Sequence, residues 1–193
     1  MQILPIVEGD GDIAAVPELI RRVAFDHGKF DIQIGRPHKR GDLPKVLGRF
    51  DDFLLTALLD QSPVLWVLDY DCEFCDDQSK HTSELARRAS ALAGSVPVEF
   101  VFMVKEFETL FLADEATTRL VFPDIPTDLQ FPPNPDRIRD AKGWLSAARP
   151  KGSAYKATSH QKRITAQLDL VRLRQASESF RRFESAVLRL LKT

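Results

Sequence analysis

Three apolar runs, the last interrupted only by Glu99 and each followed within two residues by an acidic residue, constrain this chain most. They are residues 3–7 (Ile-Leu-Pro-Ile-Val), 63–68 (Pro-Val-Leu-Trp-Val-Leu) and 96–104 (Val-Pro-Val-Glu-Phe-Val-Phe-Met-Val). Runs of this length without polar alternation suit strands covered on both faces, as in parallel sheets. Between them the period changes. Ile13, Val16, Leu19, Ile20 and Val23 repeat with helical spacing, with Asp12 placed to cap them. Residues 43–59 and 82–93 also read as helices, while residues 30–34 alternate and read as a further strand. Strands alternating with helices predict an α/β fold, a mostly parallel sheet flanked by helices.

After residue 113 the rhythm breaks. Pro123, Pro126, Pro132, Pro133 and Pro135 fall within residues 114–135, which therefore read as a connection. Residues 137–148 form one candidate helix. The last is the clearest, with Ser177 as its cap and Phe180, Phe183, Val187, Leu190 and Leu191 as one apolar stripe. The expected organisation is a core over residues 1–113, a Pro-rich connection over 114–135, and a helical basic part over 136–193 that packs on the core. Trp66 and Trp144 are expected in the interior. At 193 residues, the chain is long enough to bury a core without disulfides or metals as staples.

Charge is divided unevenly. Residues 137–193 carry 14 Lys/Arg against 4 Asp/Glu, and the rest carries 13 against 24. Such a division fits either solvated helix faces or a polyanion-binding surface beside an acidic, cation-holding centre. No apolar run approaches the roughly 18 residues that a membrane span needs. The first five residues lack the basic stretch of a secretory leader. A cytoplasmic protein, without membrane attachment, is expected.

The acidic residues fall where an open parallel sheet binds its ligands, beyond the carboxyl ends of strands. Glu8, Asp10 and Asp12 follow the first run, Asp69 and Asp71 the second, and Glu106 and Glu108 the third. Converging carboxylates repel one another unless a cation lies among them, and a set of hard oxygen donors suits Mg²⁺ or Mn²⁺. Phosphate-loop motifs are absent: there is neither G-x-x-x-x-G-K-[ST] nor G-x-G-x-x-G. Gly9 and Gly11 are expected to let the backbone turn tightly and aim the carboxylates inward.

Ile6-Val7-Glu8-Gly9 at the end of a first strand, followed by an apolar strand ending in Asp69-x-Asp71, resembles the Toprim domain of topoisomerases, bacterial primases and OLD-type (overcoming lysogenization defect) nucleases. More narrowly, the chain resembles the DUF4276 family. That resemblance lies in Val7-Glu8-Gly9, Asp69-x-Asp71-Cys72, Lys105-Glu106-Phe107-Glu108, Tyr155-Lys156-x-Thr158 and Ser179-Phe180-x-x-Phe183. It implies a Mg²⁺- or Mn²⁺-dependent nuclease or related phosphoryl-transfer enzyme, in a bacterial defence or mobile-element setting with an ATPase partner protein. Carried over, Glu8 serves in acid/base or metal chemistry and Asp69 and Asp71 hold the metal. Asp12 stands where OLD-type nucleases have a second glutamate. Glu106 and Glu108 are further candidate ligands. Lys156 is the candidate lysine to reach the site, and Lys142, Lys151, Lys156, Lys162 and Arg163 are the candidate grip on a nucleic-acid backbone.

Two alternatives stand beside this reading. One is a non-catalytic Toprim-like partner or regulatory subunit of an ATPase; the other is a hydrolase of nucleotides rather than polymers. Cys72 and Cys75 form a C-x-x-C, but two cysteines cannot make a four-thiolate zinc site, and His81 leaves such a site one ligand short. The surrounding Asp69, Asp71, Asp76 and Asp77 oppose a thiolate and so a redox role.

Overall fold

The computed structural model describes residues 1–71 and 78–192. Cys72, Cys75, Asp76 and Asp77 therefore lie outside the described residues. The first strand, β1, spans Gln2–Val7. Two short strands, β2 (Gln33–Ile34) and β3 (His38–Lys39), follow, and then β4 (Val64–Tyr70) and β5 (Val98–Val104). All pairings are parallel, in the order β2-β1-β4-β5, with β3 also on β1. β2 and β3 are two pieces of one edge strand. β2 pairs with the start of β1 (Ile3 with Ile34) and β3 with its end (Ile6 with His38). The alternation at residues 30–34 thus marks this edge but overstates it: Phe30 is exposed, and Pro37, lacking an N–H, sits in the interruption.

Side-chain alternation along the strands divides the core in two. On one face, Ile3, Val7, Leu65, Val67, Val101 and Met103 join helix α1 (Asp12–Asp26) and the C-terminal helices. On the other, Leu4, Ile6, Val64, Trp66, Leu68 and Phe102 join α2 (Leu43–Leu58) and α3 (Gln78–Leu92). Asp42 caps α2 by accepting a hydrogen bond from the Lys45 backbone N–H at 3.1 Å.

Residues 114–135 are not all loop. Asp114, fully buried, caps a short helix α5 (Glu115–Val121) that directly follows α4 (Thr109–Ala113) and ends before the first proline. The single helix expected over 137–148 is instead a 3-10 turn, Pro135–Arg137, and a helix α6, Ala141–Ala147, started by its own cap, Asp140. The chain then forms α7 (Ala157–Thr165), α8 (Leu170–Ala176) and α9 (Glu178–Leu190). Ser177 caps α9 as expected, accepting from the Phe180 backbone N–H, and Phe180, Phe183, Val187 and Leu190 are buried. Asp136 strengthens that cap, accepting from the Glu178 and Ser179 N–H groups and the Ser177 hydroxyl. Trp66 is fully buried, whereas Trp144 is half-buried against Phe131. The C-terminal helices share one apolar cluster with the sheet and α1. Among the described residues, no helix is long and apolar enough to cross a membrane.

Candidate metal and phosphate site

The topology selects one place on the sheet. After β1, the chain winds to one side, through α1 to β2 and β3; it then returns through α2 to β4 on the other side of β1. The winding therefore reverses between β1 and β4. In open α/β sheets the ligand crevice lies beyond the carboxyl ends of the strands at such a reversal. Glu8 follows β1 there, and Asp69 is the penultimate residue of β4.

A cleft of about 270 Å³ opens at this position. Glu8, Asp69 and Asp71 line it together with Asp42, Leu43, Pro44 and Leu47 from the start of α2 and His81 from α3. The three carboxylates singled out by sequence are thus brought together. The α2 wall and His81 were not anticipated as parts of it. Asp42 did carry a signal, as a capping residue two positions before a proline.

Glu106 and Glu108 are not among the residues that line this cleft. They reach it through Asp69 and a lysine on its other side. Lys105 takes a left-handed backbone (φ 69°), which costs about 1–2 kcal/mol for a residue with a Cβ. This turn follows β5 directly, and the Phe107 backbone N–H then donates to Asp69 Oδ1 at 2.9 Å. Lys142, on α6, places its ammonium 3.6 Å from Asp69 Oδ2, 3.4 Å from Glu106 Oε1 and 3.4 Å from Glu108 Oε2. Its backbone N–H also donates to Glu106 Oε2, at 3.1 Å. Glu108 is fully buried and accepts a hydrogen bond from the Tyr155 hydroxyl at 3.1 Å.

Asp12 does not cap α1. It is the helix's first residue, and its carboxylate turns back to accept from the Gly9 N–H (2.8 Å) and from Gln161 Nε2 of α7 (2.6 Å). Gly11 serves space rather than torsion. Its φ is an ordinary -64°, but a Cβ there would stand 1.9 Å from Gln161 Oε1. Gln161, which carried no motif signal, is what holds α7 against the turn after β1.

These environments move proton affinities in a consistent direction. Burial, then Asp12, raises Glu8. Burial raises Asp12 against the bonds from Gly9 and Gln161. Burial, joined by Asp12, raises Asp69 well above the usual carboxylate range, against the pull of Lys142. Burial pushes Glu108 up to about 7, although Lys142 opposes it. Burial alone would lower the Lys142 ammonium, but Glu108, Asp69 and Glu106 outweigh it and hold the proton more tightly than usual. The centre is thus an excess of carboxylate around one ammonium.

The other basic candidates stand apart. Lys151, Lys156, Lys162 and Arg163 are all exposed. Lys156 is at the start of α7, where its backbone N–H donates to His160 Nδ1. Lys142, grouped with them by charge, is the lysine that reaches the carboxylates. Asp71 is engaged by Arg139 (3.1 Å) and Lys105 (3.8 Å). Elsewhere, Asp26, His27 and Glu184 bring ligand atoms within 4.8 Å of one another, but Arg174 already pairs with both Asp26 and Glu184.

A family model described as a domain of unknown function, DUF4276, matches residues 7–188. No curated protein and no solved structure matches the chain.

Proposed function

The chain belongs to the DUF4276 family, and on that footing we propose that it is a divalent-metal-dependent phosphoryl-transfer enzyme, a nuclease with a Toprim-like catalytic edge. The observation that carries this reading is the gathering of Glu8, Asp69 and Asp71 around one cleft at the β1/β4 reversal. Their chemistry fits Mg²⁺ or Mn²⁺. All donors are hard oxygens, and Mg²⁺ is commonly held by one or two carboxylates with water completing its shell. The raised proton affinities of Glu8 and Asp69 express the same need for positive charge.

Asp69 and Asp71 would hold the ion, with Glu8 beside them. When bound, such an ion neutralises charge on a scissile phosphate and makes its bound water more acidic. Glu8, whose affinity for a proton is raised by burial, is suited to take one from an attacking water. Leu43, Pro44 and Leu47 give the cleft an apolar wall that limits water on the α2 side. The exposed Lys151, Lys156, Lys162 and Arg163 suit contacts to a nucleic-acid backbone, which add affinity without reading sequence.

The test is incubation of the full chain with plasmid and single-stranded substrates in Mg²⁺ or Mn²⁺, against EDTA. The reading expects metal-dependent cleavage that Asp69→Asn and Asp71→Asn abolish. No cleavage of any substrate would favour a second reading, a non-catalytic partner subunit of an ATPase. The engagement of Asp71 by Arg139 and Lys105 gives that alternative its support.

A further inference from the structure

Lys142 keeps 42% of its side-chain exposure, yet its ammonium is turned to carboxylates. Its ammonium lies 3.4–3.6 Å from oxygens of Asp69, Glu106 and Glu108, which come from the end of β4 and the turn after β5. Its backbone is fixed as well. Asp140 caps α6 through the Gly143 N–H at 2.7 Å, Ala141 is fully buried, and the Lys142 N–H is bound to Glu106. The lysine is therefore delivered by a set helix start.

Glu108 is held to match. The Tyr155 hydroxyl fixes its Oε1, and its Oε2 is buried without a hydrogen-bond partner, facing the ammonium at 3.4 Å. The three oxygens stand at ion-pair distance from the ammonium. Mg²⁺ would draw its ligands to about 2.0–2.1 Å.

We infer that Lys142 is a built-in cation, taking the position between Asp69, Glu106 and Glu108 that a second divalent ion would otherwise occupy. The centre then holds one divalent ion per chain, on the side of Glu8, Asp69 and Asp71. That count of one rests on the proposed metal-dependent reading; the role of the lysine does not. Lys142 is a positioning residue in this account: it sets the charge and the place of Asp69 and leaves the grip to the exposed basic residues.

The experiment counts bound Mn²⁺ on the full chain by electron paramagnetic resonance, and measures melting with and without Mn²⁺. Wild type and Lys142→Arg should bind one ion per chain, and Lys142→Met two. Without metal, Lys142→Met should melt several degrees lower, and Mn²⁺ should raise its melting temperature more than that of wild type. If Lys142→Met loses its fold in EDTA, saturating Mn²⁺ should restore the native circular dichroism; failure to restore it would overturn the inference. Two ions on wild type, or one on both wild type and Lys142→Met, would also overturn it and leave the metal reading intact. An ion bound by Lys142→Met alone would uphold the lysine's role and refute the metal reading of the cleft. No ion on either protein would refute both.

Discussion

Replacing Glu108 with glutamine tests the electrostatics of this centre through stability alone. Glu108 is fully buried, with Lys142, Tyr155, Asp69, Asp12 and Glu106 around it. Burial, partly opposed by Lys142, lifts its pKa from 4.5 to about 7. Between those values the folded chain keeps the proton that the unfolded chain has lost. Stability is therefore present below pH 4.5 and falls as pH rises towards 7. At 1.36 kcal/mol per unit, the loss is about 3 kcal/mol. Glutamine keeps an oxygen for the Tyr155 hydroxyl and cannot ionise. In EDTA, Glu108→Gln should thus be more stable than wild type by about 3 kcal/mol at pH 8, roughly 6–12 °C in melting temperature. At pH 5 the advantage should shrink below about 1 kcal/mol. Glu8 and Asp12, also raised, are present in both proteins and largely cancel in the difference, whereas Asp69, which the Glu108 charge helps to raise, is relieved in the variant and adds to its advantage at pH 8. Urea unfolding at the two pH values measures it. An advantage that does not change with pH, or a variant less stable at pH 8, would refute the reasoning, because Glu108 would then be ionised and net stabilised by Lys142.

Gly11→Ala would push a Cβ to within 1.9 Å of Gln161 Oε1 and 2.8 Å of Ala157 Cβ, and should cost about 1–3 kcal/mol in urea unfolding, part of it recovered by adding Gln161→Ala. Asp136→Ala removes the acceptor for the Glu178 and Ser179 N–H groups and the Ser177 hydroxyl, and should cost about 2 kcal/mol, the upper end for a helix cap, read as a lower urea midpoint. Reversing Lys151, Lys156, Lys162 and Arg163 to glutamate should flatten the salt dependence of duplex DNA binding by about 0.9 in log–log slope for each phosphate no longer neutralised. Anisotropy titrations at low salt measure it, and no binding of duplex or single-stranded probes by wild type would reject a phosphate grip.

β1 and β4 were legible because burial on both faces leaves a continuous apolar run, and β5, at one edge, because every residue in it but Glu99 is apolar. The runs at residues 3–7, 63–68 and 96–104 correspond to β1, β4 and β5 to within two residues at either end. The other edge was harder to read: β2 and β3 are two residues each, and His38 and Lys39 carry no apolar signature. Asp69 and Glu8 were legible because strand ends fix where such carboxylates point. Lys142 was not, since its charge looks like that of any other lysine in a basic third, and only the folding of α6 onto the turn after β5 separates it from Lys156. Gln161 and Asp12 meet across 149 positions of sequence, a pairing that no local pattern announces. Gly11 was legible as necessary but for the wrong reason, because close approach of another helix leaves no mark in the sequence around it.

The most direct test of the central claim is calorimetric titration of Mn²⁺ into wild type, Asp69→Asn and Asp71→Asn at one pH. Asp69 is the carboxylate shared by the cleft and the Lys142 cluster, and Asp71 lines the cleft from the residue beyond β4. The account predicts saturable binding to wild type, weakened at least tenfold in each variant, with Asp69→Asn no less stable than wild type in EDTA because one of several mutually repelling carboxylates has been removed. Wild-type affinity in both variants, or no binding to wild type, would contradict it.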